Sequence, residues 1–377
     1  MSSLMRDMRI LVTGSKGFIG KNLVLRLNEL QCCEVIEFVR ADSLDRLPEL
    51  VSQADAIIHL AGENRPKNVD DFALVNTELT RTICNVIRSF GRDVPLIYVS
   101  STQAELDNLY GKSKRAGEVA IEQYAAETGN TALIYRLPGV FGKWCRPNYN
   151  SVVATFCYNF ANDLPIQIND PGAKIRVVYV DDVISEFISA LSNMGGGVYF
   201  GEVLPEYFIT LGDLAEQINA FKNCRTSLLS ERVGTGLTRA LYATYVSYLP
   251  TGKFAYDLTR HGDERGVFVE MLKTADSGQF SYFTAHPGVT RGGHYHHTKS
   301  EKFLVIKGDA RFGFRHVHSN ESYEIFTSGD KPQVVETVPG WAHDITNVGS
   351  EEMIVMLWAN EIFDRDRPDT VASKVLI

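Results

Sequence analysis

The sequence predicts a two-part chain: an α/β domain on a doubly wound parallel sheet, then an all-β domain of barrel or jelly-roll type. Three observations predict it. Up to about residue 250, apolar strand-like runs alternate with helix-periodic runs, the pattern of parallel strands joined by crossovers. Beyond Pro250-Thr251-Gly252 the strands are short and parted by turn residues, with no long helical run. Eight of the nine histidines lie past residue 260, so the two parts carry different chemistry. A chain of 377 residues has room for two or three cores, and the expected domains are 1–250 and 251–377.

In order, Met8–Thr13 reads as a short apolar strand and Phe18–Leu30 as a helix. Glu34–Val39, Ala56–Leu60 and Leu96–Ser100 read as buried strands, with a helix over Asp71–Phe90 between the last two. In the second part, Phe280–Thr284, Glu301–Ile306, Ala310–Arg315, Glu321–Thr327, Gln333–Val338 and Met353–Ala359 read as strands.

The net charge of −8 argues against a nucleic-acid-binding face, so an anionic substrate must be held by local donors. No stretch approaches the roughly 20 apolar residues of a membrane span. Met1 to Arg9 carries charges and lacks the apolar core of a signal peptide. The six cysteines contain no Cys-x-x-Cys pair, which suits reduced thiols in the cytoplasm.

Two segments carry the chemistry of the first domain. Thr13-Gly14-Ser15-Lys16-Gly17-Phe18-Ile19-Gly20 follows a strand and opens a helix. Gly14 permits a tight turn, Gly17 lets the backbone approach a pyrophosphate, and Gly20 allows close helix–sheet packing. The second strand ends on Arg40 where an NAD site usually has an acid. Unless Arg40 is only a solvated surface charge, its guanidinium suits the 2′-phosphate of NADPH. Tyr110 and Lys114 stand four apart, hence on one helical face, where an ammonium lowers a neighbouring phenol's pKa. The strand before them ends Ser100-Ser101-Thr102, a source for the hydroxyl partner.

With His59-Leu60-Ala61-Gly62, Asn76, Arg136-Leu137-Pro138 and Val180-Asp181-Asp182-Val183, these motifs resemble the extended short-chain dehydrogenase/reductase family over about the first 245 residues. The resemblance implies a Rossmann-type domain with Tyr110 as acid/base and Lys114 binding the nicotinamide ribose. Thr102 or Ser101 would polarise a carbonyl, and Leu60 and Ala61 would join the glycine turn in holding the cofactor. It also implies a nucleotide-sugar substrate. The stretch from Thr102 to Tyr110 is much shorter than is usual in that family. Asn64 and Arg65 follow the third strand, where a loop overhangs the nicotinamide. Lys143 and Arg146 have the chemistry to bind a diphosphate, and Trp144 or Tyr149 to stack on a base or sugar; an ordinary surface loop is the competing reading.

In the second part, His294 and His296 are two apart, so on a strand they share a face. Glu301 opens the next strand and His343 follows the turn at Pro339-Gly340. Three imidazoles and a carboxylate can enclose a divalent metal, with zinc the expected ion. The spacing resembles the two motifs of the cupin superfamily, which implies these four residues as ligands on a cupin barrel. Asp263-Glu264-Arg265-Gly266 and Arg291-Gly292-Gly293-His294 resemble the cupin epimerases of keto-sugar nucleotides. That implies Arg265 and Arg291 as substrate contacts, Lys302 near the keto oxygen, and His294 as the base. A metal-bound His294 cannot be a free base, and His297 or Tyr295 are then the candidates.

The whole chain, including the segment from Leu241 to Pro250, resembles the bifunctional capsular-polysaccharide and O-antigen enzymes that join such a reductase to such an epimerase. The resemblance implies C3 epimerisation and NADPH-dependent C4 reduction of a UDP-2-acetamido-2,6-dideoxy-4-keto-L-hexose, in a cytoplasmic homodimer joined through the cupin. The alternatives are a reductase with a structural or dimerising cupin, a metal-dependent oxygenase fused to a dehydrogenase, and a regulatory NADP-binding protein.

Overall fold

The computed structural model describes residues 7–192, 195–366 and 368–375. Residues 1–6, the first part of the segment Met1 to Arg9, lie outside them. Two compact units form. One comprises residues up to Ile218 together with Arg239–Leu249, the other Asn219–Thr238 together with the chain from Pro250 onward. The expected break near residue 250 is thus joined by an excursion over 219–238.

In the first unit, β1 (Met8–Thr13), β2 (Cys33–Phe38), β3 (Ala56–His59), β4 (Leu96–Ser101) and β5 (Ala132–Leu137) belong to one sheet. With Val198–Gly201 as its last strand, this sheet is six-stranded in the order β2-β1-β3-β4-β5 and then that edge. Every pairing in it is parallel. The order reverses between β1 and β3, and the carboxyl ends there make a crevice. Central strands are covered on both faces, so they read as continuous apolar runs. Ile10 and Val12 join one core with Leu23, Leu27 and Phe187, while Leu11 between them joins the other with Leu50, Ile83 and Ile121.

Helix α1 (Phe18–Leu30) follows the glycine turn. The helix expected over Asp71–Phe90 is interrupted by a π-helical turn at Leu74–Glu78. The turn carries Asn76, whose side chain donates to Glu63 O (2.8 Å) and Ser113 Oγ (3.0 Å) and accepts from Glu63 N (2.8 Å). Such turns mark functional positions. A further helix, Leu109–Thr128, is capped by Asn108, which accepts from Gly111 N at 2.7 Å.

Apart from the helical residues within 219–238 and a short turn of 3-10 helix at Thr251–Lys253, the second unit is built of strands. Strands Gly266–Thr274, Gly278–Ala285, Glu301–Lys307, Val334–Glu336 and Met353–Ala359 lie in a seven-stranded sheet. Asp309–His316, Ser322–Ser328, Thr290–Tyr295, Trp341–Asn347 and Val371–Ala372 form a five-stranded one. The short strands are as expected; they lie in two sheets, and among the described residues no closed barrel forms. The two sheets enclose one core, with Phe283, Phe303 and Val355 from the first and Phe312, Phe314 and Ile345 from the second. Thr290–Tyr295 has no apolar alternation, and its strand form comes from pairing with Trp341–Asn347. Among the described residues no helix is long and apolar enough to cross a membrane.

Candidate functional site

At the β1–α1 turn, Gly14 has φ of 69° and its amide donates to Phe38 O at 2.8 Å. A Cβ on Gly14 would lie 2.8 Å from Ala61 N, so the turn is pressed against Leu60 and Ala61 at the end of β3. A Cβ on Gly20 would lie 2.7 Å from Ser15 Cα, so only glycine lets α1 start this close to the turn. Gly17 precedes α1 with extended backbone and caps it with no side chain. Phe18 and Ile19 turn their side chains to the core, so the first-turn amides are left to a ligand. The cradle fits a dinucleotide pyrophosphate at a helix N-terminus.

Lys16 pairs with Glu37 on β2 at 2.7 Å, and this bond holds the Glu37 carboxyl below its usual range. Arg40, largely exposed, pairs with the buried Glu63, which the sequence reading missed. Burial raises the Glu63 pKa, but Arg40, the Arg65 amide and Tyr149 outweigh it and hold the acid ionised. Glu63 Oε1 accepts from the amides of Asn64 and Arg65 and from the Tyr149 hydroxyl, each at 3.2 Å. Arg65 and Arg146 stack on Tyr149 with guanidinium carbons 6.0 and 4.9 Å from the ring centroid. Arg40, Tyr149 and the amides of Asn64 and Arg65 therefore converge on one buried acid, with the Arg65 and Arg146 guanidiniums gathered on Tyr149. Its only signal in the sequence was an acid in an otherwise donor-rich segment after a buried strand. Lys143 does not join them: it donates to Asp181 at 2.7 Å and lies over Trp144.

Tyr110 and Lys114 share the helix face, as their spacing predicts. Of the two hydroxyls left open, Ser101 is the one that acts on the Tyr110 phenol; it also caps the short turn Thr102–Glu105, accepting from Gln103 N at 3.2 Å. That turn packs against Gly111, where a Cβ would collide with the carbonyl oxygens of Gln103 and Leu106 (2.7 Å for the latter), so the shortened loop depends on glycine there. Burial raises the phenol's pKa and the Ser101 hydroxyl only partly opposes it. The expected lowering by Lys114 is thus corrected: the lysine's ammonium donates to Val99 O at 2.7 Å and lies 4.7 Å above the Tyr98 ring. Lys114 is buried, and burial pulls its pKa down to about 8 against the opposing pull of Glu118.

In the second unit, one nitrogen or oxygen from each of His294, His296, Glu301 and His343 lies within 4.8 Å of the others. Glu301 Oε2 is 3.2 Å from His296 Nε2 and 3.4 Å from His343 Nε2, and Oε1 is 2.9 Å from Lys299 Nζ. His343 Nε2 is buried without hydrogen-bond geometry to any partner. A buried bare nitrogen aimed at a carboxylate and two further imidazoles fits a divalent metal. Burial, then the His343 imidazole, lowers the His294 pKa to about 4, so that ring is neutral at pH 7.

Lys302 is corrected. It is exposed and pairs with Glu336, because successive side chains of Glu301–Lys307 alternate between faces and Glu301 faces inward. The lysine in the cluster is Lys299, buried and missed from the sequence. His297 is corrected as well: it is exposed and its ring packs on Tyr295 at 5.4 Å, on the face opposite His294 and His296. Arg291 lies over Phe283, donates to Thr284 O at 3.0 Å, and feels the repulsion of Arg265. Phe283 meets Phe303, which in turn lies 6.4 Å from His343, so Arg291 and the cluster share the interior of this unit. Arg265 is held by Asp263 through Nε at 3.0 Å and a terminal nitrogen at 2.5 Å.

Residues 10–200 match the NAD dependent epimerase/dehydratase family, and residues 261–371 match the polysaccharide biosynthesis C-terminal domain. The UDP-2-acetamido-2,6-beta-L-arabino-hexul-4-ose reductase of Pseudomonas aeruginosa is 56% identical over 368 residues, covering 98% of this chain and 99% of that protein. The crystal structure of the capsular polysaccharide assembling protein CapF from Staphylococcus aureus has a TM-score of 0.90 at 40% identity, covering 98% of this chain and 100% of that one. UDP-glucose 4-epimerase from Thermus thermophilus, at 20% identity and a TM-score of 0.53 over 64% of this chain and 99% of its own, shares the fold alone.

Proposed function

The chain belongs to the NAD dependent epimerase/dehydratase family, and we propose that it is a cytoplasmic, bifunctional nucleotide-sugar enzyme. The second unit inverts C3 of a UDP-2-acetamido-2,6-dideoxy-4-keto-L-hexose. The first reduces the C4 ketone with NADPH to the L-talo product, on the route to UDP-N-acetyl-L-fucosamine. The observation that carries this reading is the pairing in one chain of two separate proton-handling sites: Ser101, Tyr110 and Lys114 behind a dinucleotide cradle, and a three-histidine, one-carboxylate cluster with Arg291 in the same interior. The name of the Pseudomonas relative supports the substrate class.

When bound, NADPH supplies the hydride. Tyr110, kept protonated by burial, gives its proton to the carbonyl oxygen as that oxygen gains charge, and the Ser101 hydroxyl holds phenol and carbonyl in line. Lys114 offers positive charge from a fixed position. Arg40 would face the 2′-phosphate; Arg65 and Arg146 would supply donors to a substrate held by the first unit, and Arg265 and Arg291 to the diphosphate of a substrate held by the second. A zinc ion held by His294, His296, Glu301 and His343 would polarise the ketone as a Lewis acid. The exposed apolar side chains Phe280, Val334 and Met356 in the second unit support a homodimer.

The test is incubation with the 4-keto-sugar nucleotide in deuterated water, read by NMR. Deuterium should enter at C3 without NADPH, and adding NADPH should give the reduced product. Reduction with no exchange would leave a reductase whose second unit is structural. Elemental analysis should find zinc near one per chain; exchange by metal-free protein would make His294 the base. NADPH should outperform NADH, and Arg40→Ala should lower kcat/KM for NADPH selectively.

A further inference from the structure

We propose that Asp369, from the C-terminal segment, is the positioning residue of the histidine cluster. Its carbonyl fixes which nitrogen of His296 carries the proton, and its carboxylate fixes the turn that carries Lys299.

His296 Nδ1 lies 2.5 Å from Asp369 O. A carbonyl oxygen only accepts, so Nδ1 must carry the hydrogen. Nε2 is thereby turned into the cluster as a donor atom toward Glu301, the arrangement in which a partner outside the ligand set decides the tautomer of a metal-binding imidazole. The Asp369 carboxylate accepts from three successive amides, His297 (2.9 Å), Thr298 (2.7 Å) and Lys299 (2.8 Å), and from the Thr298 hydroxyl (2.9 Å). Lys299 leaves this turn to reach Glu301. The segment beyond is tied down along the same strand. Val371–Ala372 pairs with Tyr295 and His294, and Ser373 N donates to Gly293 O at 2.9 Å. Arg315 holds it from the other side through Lys374 O (3.1 Å) and Ser373 Oγ (2.8 Å). One of the four cluster residues, His296, and the buried lysine thus take their placement from one aspartate some 70 positions away.

The metal half of this proposal rests on the reading of the cluster as a metal centre; the tautomer half does not. Both are tested on the full chain with Asp369→Ala and Asp369→Asn, using cobalt(II) alone as the probe. Asp369→Ala should weaken cobalt binding about 10- to 100-fold and alter its visible spectrum, the usual effect of losing such a partner. Asp369→Asn, which keeps one acceptor oxygen, should restore part of it. NADPH-dependent reduction of an already epimerised substrate should stay unchanged in both, which shows that the chain is folded. In metal-free protein labelled with 15N-histidine, His296 should carry a proton on Nδ1 in the wild type and keep it in Asp369→Ala, whose backbone carbonyl is unchanged. Wild-type cobalt affinity and spectrum in Asp369→Ala, or a wild-type His296 protonated on Nε2 alone, would overturn the proposal. If the wild type takes up no cobalt, the metal reading fails, and the tautomer measurement still sustains or sinks the positioning role.

Discussion

Lys114 meets two opposite demands, because its ammonium is needed as a charge and is buried as one. Burial lowers its pKa to about 8, so it is charged at neutral pH and loses its proton just above. Tyr110 is shifted the other way and stays protonated, the state a reductase needs in its proton donor. The expected outcome is a kcat/KM for reduction that falls as pH passes about 8. Lys114→Arg, whose guanidinium does not titrate there, should push that fall to higher pH at some loss of rate. A fall still at pH 8 in the variant would assign it to another group. Stability should move oppositely. Between about 8 and the ordinary lysine value of 10.5 the unfolded chain binds more protons than the folded one, so unfolding free energy rises with pH across that window.

The helix Leu109–Thr128 is latched to the sheet through Glu118, one turn beyond Lys114 and fully buried. Its carboxylate accepts from Ser100 (2.5 Å), from two Arg136 nitrogens (2.9 and 2.7 Å) and from Arg115 (2.9 Å). Burial works against its charge, but these donors outweigh it and hold the acid below its usual value. Ser100 and Arg136 sit at the ends of β4 and β5, so the latch sets the depth of Tyr110 relative to Ser101. Glu118→Gln removes the buried anion shared by two guanidiniums, which keep only their outer partners, Glu122 for Arg115 and Glu105 for Arg136. Breaking a buried pair costs about 3–5 kcal/mol, and because Arg115 and Arg136 reach solvent the loss should be near the lower end, ~3 kcal/mol. Urea unfolding of the first unit should show it, while Glu105→Gln on the exposed rim should change stability by under about 1 kcal/mol. The latch should also weaken on acidification: its contribution is complete above the ordinary carboxyl pKa near 4.5 and is lost as pH falls through the lower folded value.

Across the molecule, the two chemistries lie in different compact units, which predicts a clean crossing of variants. Tyr110→Phe should abolish NADPH consumption and leave deuterium exchange intact. His343→Ala should lose exchange and metal, yet still reduce a substrate supplied already epimerised. Loss of both activities in either well-folded variant would mean one shared site. Should His343→Ala instead melt the second unit, the ion is a fold element, since metal binding adds directly to folding free energy.

The sequence by itself determined what depends on spacing along the chain. Gly14 to Gly20 sits where a strand becomes a helix, and Tyr110 and Lys114 share a face because a helix repeats near four. His294 and His296 meet because a strand repeats at two. Lys302 was legible on the same ground: once Glu301 faces inward, its neighbour faces out. Only the tertiary structure decided the rest. Ser101 acts on Tyr110 and also caps the tight turn that Gly111 admits, a double use that its place in the sequence does not show. Glu63 gathers side chains from the ends of different strands and loops, and no local periodicity relates it to Tyr149, 86 positions away. Lys299 enters the cluster from a turn whose path is set by Asp369, and the π-helical turn at Asn76 exists because that amide has partners on two other elements. Hydrogen bonds and ion pairs act over about 3 Å of space whatever their separation in sequence, so a single chain read along its length shows which groups are available, and folding alone decides which of them meet.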